Sequence, residues 1–186
     1  MIKRIRIQNY RSLIDVDVEL GPLTVLIGRS GTGKSNFVRA IRALRDVLQS
    51  RQIIHWANSK PLGIKAATLS YEITLELPGK PEQYRYAISI NHDRISTGSI
   101  HRESLYCDEN KIYEVIDGSW QTKPAVIPEP SPNVLILASI NGSRQASIAY
   151  HLLSRGVGCY DFQGTVLQVG TVNSGIGFRD DGQNYL

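Results

Sequence analysis

Gly28-Arg29-Ser30-Gly31-Thr32-Gly33-Lys34-Ser35 satisfies the pattern G-x-x-x-x-G-K-[ST] in full. Each part of that pattern has a physical role toward a polyphosphate. The glycines admit backbone conformations that a side chain would block. Consecutive backbone N–H groups, including those of Arg29, Ser30 and Thr32, then converge on one concavity that cradles phosphate oxygens. The Lys34 ammonium reaches the β- and γ-phosphates as a point charge, and the Ser35 hydroxyl can ligate Mg²⁺. The flanks agree. Leu23-Thr24-Val25-Leu26-Ile27 is a short, nearly continuous apolar run and reads as a strand buried on both faces. Phe37, Val38, Ile41, Leu44, Val47 and Leu48 fall on one stripe of a helix running from about Lys34 to Gln49, with Arg39, Arg42 and Arg45 opposite as a solvated face. The loop therefore joins a strand to a helix N-terminus, where the helix dipole also favours anions.

A chain of 186 residues can hold one domain with a real core and is too short for two complete nucleotide-binding lobes. Its longest apolar run, Val134 to Ile140, is far too short to span a bilayer, and the basic start Met1 to Arg6 is followed by no apolar segment of the signal-peptide kind. Cys107 and Cys159 form no C-x-x-C pair and read as reduced thiols of a cytoplasmic protein. His55, His92, His101 and His151 lack metal-ligand spacing. The net charge of +4 is uneven: residues 1–60 carry eleven Lys/Arg against four Asp/Glu, a net +7, and the remainder ten against thirteen, a net −3. A basic N-terminal part suits a triphosphate or nucleic acid.

Along the chain, Ile5-Arg6-Ile7 reads as a strand, and Val16, Val18 and Leu20 alternate with acids as a half-buried one. Beyond a loop at Ser59–Gly63 the period becomes two. Leu69, Tyr71, Ile73, Leu75 and Leu77 alternate with polar residues, Pro78–Pro81 turns, and Tyr84, Tyr86, Ile88 and Ile90 alternate again. Further strands are expected near Ile100–Tyr106 and Ile112–Val115, joined through Asp108-Glu109-Asn110, which makes an antiparallel meander with one apolar face. Prolines between Pro124 and Pro132 mark a loop, Val134–Ala138 reads as another buried strand, and Gln145–Leu153 as a helix. After Gly156 the chain is glycine-rich and weakly patterned.

Residues 1 to 50 resemble the N-terminal lobe of ABC-type ATPases of the SMC, RecF and OLD kind, a branch of the AAA-type ATP-binding proteins. The pieces that match are Ile5-Arg6-Ile7-Gln8-Asn9-Tyr10-Arg11-Ser12-Leu13 and the glycine-rich loop with its following Asn36. Arg29-Ser30 stands where the family usually has Pro-Asn, but those positions mainly offer backbone N–H groups. The resemblance implies an α/β fold of the P-loop NTPase class: an ABC-ATPase-like first lobe with a mixed sheet and an antiparallel β-subdomain. It implies one ATP-binding lobe over 1–186. Within it, 1–60 would be the strand–loop–helix core, 66–120 the β-subdomain, and 133–186 a C-terminal part that stops short of the catalytic half. Arg102-Glu103-Ser104-Leu105 is similar to the family's Glu-x-Leu stretch, and Asp181–Asn184 to a segment that precedes a helix in these proteins. By the same resemblance Arg11 approaches the nucleotide, and ATP with Mg²⁺ is the expected ligand.

Two family parts are missing. A Walker B segment needs four apolar residues followed by Asp, yet Val134–Ala138 ends in Ser139 and Val166-Leu167 in Gln168-Val169. Leu153-Ser154-Arg155-Gly156 has the Leu-Ser-x-Gly shape of a signature loop, but no Walker B strand follows it. Gln121 and Gln145 are the candidates for a Q-loop glutamine. The expected function is thus ATP binding within a DNA-repair or genome-defence ATPase. Hydrolysis would await a second half or partner subunit, and a homodimer and DNA are open as partners of the whole protein. The alternatives are a non-hydrolysing nucleotide-binding interaction module and a GTPase-like switch. The switch draws on Asp161-Phe162-Gln163-Gly164, but Asn110-Lys111-Ile112-Tyr113 lacks the carboxylate that pairs with guanine.

Overall fold

The computed structural model describes residues 1–53, 68–91, 98–123, 129–140 and 142–158. Nearly all of these fall in the first of two units, Met1–Gly156. Alternation of apolar and polar residues builds its sheet. Seven strands run β1 (Ile2–Tyr10), β2 (Leu13–Glu19), β3 (Thr68–Glu76), β4 (Gln83–Asn91), β5 (Ser99–Cys107), β6 (Asn110–Ile116) and β7 (Ser119–Thr122). They lie in the order β2-β1-β3-β4-β5-β6-β7. Each neighbouring pair is antiparallel, so among the described residues the sheet contains no parallel pair. Strands β3 to β7 make up the larger part of this one sheet, and β1 joins them directly by pairing Ile5 with Ile73 and Ile7 with Tyr71.

Helix α1 (Lys34–Ser50) covers the apolar face of the sheet. Its buried residues are Phe37, Ala40, Leu44, Val47 and Leu48. They meet Ile5, Ile7, Tyr10, Leu69, Tyr71 and Ile73 in one core, and the Tyr71 hydroxyl donates to the Ala40 carbonyl at 3.2 Å. Val38, expected on the apolar stripe, is instead 39% exposed, and Ala40 takes its place against the sheet. Only Arg39 of the three arginines is fully solvated: Arg42 and Arg45 are half-buried, and Arg45 pairs with Asp46 at 2.9 Å. Helix α2 (Arg144–Ser154) starts at Ser143, whose hydroxyl accepts from Ala146 N–H at 3.3 Å, and it packs on α1, where Gln49 donates to the Ser154 carbonyl. No helix among the described residues is long and apolar enough to cross a membrane.

Three expectations about local structure are corrected. Val134–Ala138 is no strand, although Leu135 to Ala138 are buried as expected. Leu135, Ile136 and Leu137 are at most 4% exposed, and Ala138, Ser139 and Ile140 N–H groups return to the Leu135 and Ile136 carbonyls as a helical turn. A turn forms because the Glu103 carboxylate caps it, taking Ile136 N–H at 2.7 Å and Leu137 N–H at 2.9 Å. Strand β7 was not anticipated. It follows Asp117 and Gly118, both at positive φ (48° and 73°), the geometry of a tight hairpin turn. Leu23–Ile27 enters no strand and is not buried: Leu23, Val25 and Ile27 are 84%, 68% and 89% exposed. A continuous apolar run signals that burial is favourable, and here the described residues supply no strand to lie beside it.

Candidate functional site

The glycine-rich loop curls around its own lysine. Lys34 Nζ donates to the Gly28 carbonyl at 2.6 Å, to the Arg29 carbonyl at 2.7 Å and to Thr32 Oγ1 at 3.3 Å. The Thr32 hydroxyl in turn donates to the Arg29 carbonyl at 2.9 Å. Gly31 and Gly33 sit at φ 83° and 95°, which L side chains rarely adopt. Gly33 ends the loop as the N-cap of α1, with no side-chain cap and no acid in the first turn. The first N–H groups of the helix, those of Lys34, Ser35 and Asn36, are thus left without a capping side chain, as an anion site requires. Ser35 is exposed beside them.

A second segment abuts the loop. The β1–β2 connection reverses through Asn9 and Arg11, both left-handed at φ 59° and 51°. Asn9 is held by donating to the Thr68 carbonyl at 2.9 Å. Tyr10 is buried against Tyr71 edge to face. The Arg11 guanidinium lies 5.8 Å from the centre of the Tyr10 ring, and its buried Nε has no hydrogen-bond partner among the described residues. Ser12 Oγ accepts from Asn36 Nδ2 at 2.7 Å. The structure therefore gathers Gly28 to Asn36 at the start of one helix and sets the Asn9–Leu13 turn beside Gly33, where a Cβ would meet Leu13 Cδ2 at 3.2 Å and Ser12 Oγ at 3.3 Å.

The basic N-terminal part is not a bare cationic patch. Arg4 pairs with Asp17 and Arg6 with Asp15, each through two bonds of 2.5–2.9 Å on the outer face of the sheet. These hydrogen bonds hold both aspartate carboxyls below the usual range. Arg102 and Lys111 likewise close on Glu114 and lower its pKa, chiefly through the Lys111 bond. Asn110–Tyr113 is the start of strand β6, with Lys111 engaged by Glu114, and not a base-recognition loop. Leu153-Ser154-Arg155-Gly156 closes α2: Ser154 is buried, its hydroxyl donates to the Tyr150 carbonyl at 2.6 Å, and Gly156 N–H returns to His151. A Cβ on Gly156 would stand 2.6 Å from the Leu152 carbonyl, so that glycine serves the helix end. Gln121 lies on β7 and Gln145 in the first turn of α2. Asp161–Gly164, Val166–Val169, Asp181–Asn184 and Cys159 lie outside the described residues, and Cys107 is a free thiol whose pKa burial pushes up.

Sequence reasoning placed Glu103 in a stretch of family resemblance and missed its structural role. It is fully buried, with Oε1 accepting from Tyr113 at 2.9 Å, Tyr86 at 3.1 Å and Leu137 N–H, and Oε2 accepting from Ile136 N–H. Burial raises its pKa, against the pull of the four donors. Beyond the Glu-x-Leu resemblance, the sequence signal for burial was an acid within an otherwise apolar strand.

A loop of this pattern running into an uncapped helix, laid on a sheet, defines the N-terminal region of a P-loop ATPase. Residues 1–116 match the AAA ATPase domain, and the chain belongs to that family. It is also 49% identical over 41 residues to the OLD nuclease of Thermus scotoductus. That stretch is 22% of this chain and 8% of the relative, so the chain matches only a small part of the relative's length. The N-terminal region is accordingly that of an AAA/OLD-like ATPase.

Proposed function

We propose that this chain is the ATP-binding lobe of an ABC-type ATPase of the kind that serves DNA-repair or genome-defence machines, and that hydrolysis awaits a second half or partner subunit. The observation that carries the reading is the uncapped start of α1 beneath a loop whose lysine spans its own carbonyls. Those groups fit a triphosphate. Phosphate oxygens would replace the Gly28 and Arg29 carbonyls on Lys34, the loop N–H groups would take the remaining oxygens, and Ser35 would offer a hydroxyl to Mg²⁺. Mg²⁺, when bound with the nucleotide, neutralises charge shared by the β- and γ-phosphates. Arg11, in the turn that abuts the loop and with no hydrogen-bond partner for its Nε among the described residues, is our candidate for a further phosphate contact. The exposed Leu23–Ile27 run supports the partner: strands from the catalytic half would flank it and bring the Walker B carboxylates that Val134–Ser139 and Val166–Val169 do not supply.

Two measurements test this. ATP that binds the folded loop and not the unfolded chain stabilises the fold by mass action. A hundredfold excess over Kd is worth about 2.7 kcal/mol and raises Tm by roughly 5–10 °C for a domain of this size. ATP is expected to equal or exceed GTP in this assay. A folded sample whose melting curve ignores millimolar ATP would refute the site, and a response to GTP alone would favour the switch. Hydrolysis by the chain alone is expected at background. Sustained phosphate release that Lys34→Ala abolishes would show that a catalytic carboxylate is present after all.

A further inference from the structure

We propose that Ser12 is a positioning residue for the phosphate loop, acting through Asn36. The proposal rests on the nucleotide-binding reading above but makes its own structural claim. Asn36 stands in the first turn of α1, one residue after Ser35, and its amide donates to Ser12 Oγ at 2.7 Å across 24 residues of sequence. That bond ties the start of the helix to the β1–β2 turn. The turn is itself anchored. Asn9 holds Thr68, Tyr10 is buried in the core against Tyr71, and Leu13 is buried next to Ser12. It also presses on the loop, because Ser12 Oγ and Leu13 Cδ2 occupy the space a Cβ of residue 33 would need. Gly33 at φ 95° is thereby confined by a rigid neighbour on one side and by the helix on the other.

The loop needs such a support. Within the loop, Lys34 bonds the Gly28 and Arg29 carbonyls and Thr32 Oγ1, and Thr32 bonds the Arg29 carbonyl; Lys34 must leave its carbonyls to meet a phosphate. Upstream, Leu23–Ile27 pairs with no strand among the described residues to steady the loop's other end. The Ser12–Asn36 bond survives the exchange of partners at Lys34, so it can hold the helix N–H groups aimed at one point before and during binding. Preorganisation of this kind raises affinity by removing an ordering cost. Because the bond is exposed, its loss changes global stability little.

The test compares Ser12→Ala, Ser12→Thr, Asn36→Ala and the double variant Ser12→Ala/Asn36→Ala in the full chain. Two readouts are used: MgATP affinity by calorimetry, and amide hydrogen exchange of residues 28–36 without nucleotide. Ser12→Ala is expected to weaken MgATP binding about three- to tenfold. It should also speed exchange in the loop while β3–β6 keep their protection. Ser12→Thr retains the hydroxyl and should stay near the parent. The double variant should lose no more than the worse single one, as for two partners of one bond. Unchanged loop exchange in Ser12→Ala overturns the proposal whatever ATP does, and so do multiplicative affinity losses. A chain that binds no MgATP in any form refutes the nucleotide reading, and the exchange data then decide Ser12 on their own.

Discussion

Lys34→Ala is expected to lower ATP affinity by about 10- to 150-fold, the equivalent of one or two charge-assisted hydrogen bonds. In the structure the ammonium is held by two loop carbonyls and one hydroxyl, all at the exposed mouth of the loop. Removing it therefore deletes the cation that a phosphate would recruit and leaves the core of Phe37, Leu44 and Val47 untouched. Affinity and stability should separate: calorimetry registers the loss, and the melting temperature of the nucleotide-free chain stays close to the parent. An unchanged Kd would reject the role of Lys34. A variant that is unfolded would mean that the loop's own bonds support the fold far more than their exposure suggests.

Glu103→Ala is expected to have the largest effect on stability, on the order of 3–5 kcal/mol, because truncating one partner of a buried charged network strands the others. Two tyrosine hydroxyls and the N–H groups of Ile136 and Leu137 would lose their acceptor inside the core. Glu103→Gln should also destabilise, since its amide sets N–H against N–H. Burial raises the folded pKa of Glu103, so the folded state binds its proton more tightly than the unfolded chain. Stability from this group is full below the ordinary carboxylate range and falls as pH rises toward the raised value. Asp15, Asp17 and Glu114 run the opposite way. Their pKa values are lowered by paired cations, and their contribution is lost on acidification through those lowered values. Subtracting the Glu103→Gln pH–stability profile from that of the parent isolates the Glu103 term. A difference that is flat across the carboxylate range and above it would contradict the buried carboxylate. Denaturation midpoints from about pH 4, near the ordinary carboxylate pKa, up to about pH 8 make the measurement.

The legible part of the fold was periodic. A 3.6-residue stripe after the glycine-rich loop located α1, and two-residue alternation located β3 and β4 with their buried tyrosines and isoleucines. Burial was easier to read than conformation. Leu135–Ala138 is in the core as its apolarity demands, yet a carboxylate from another strand made it a turn. At Leu23–Ile27 apolarity was read as burial, although the flanking strands it calls for are not among the described residues. Strand β7 escaped because it is four residues long, although Asp117-Gly118 was a usable hairpin signal. In the site, the phosphate loop was legible because eight consecutive residues encode it. Ser12–Asn36 and Glu103 with Ile136 join positions 24 and 33 apart, and no local pattern marks such pairs.

The bare Leu23–Ile27 segment has a practical corollary for anyone handling this chain by itself. An exposed apolar stretch that pairs with no strand among the described residues is a template for intermolecular strand pairing, the first step toward aggregates. Leu23, Val25 and Ile27 offer three large aliphatic side chains to solvent with no charge between them. Gatekeeping is left to Arg29 on one side and to Glu19 on the other, across Gly21-Pro22. Solubility of the lone chain should therefore depend on concentration and ionic strength more than its ordinary overall composition suggests. Co-expression with the proposed partner half is expected to improve yield for a reason unrelated to nucleotide chemistry.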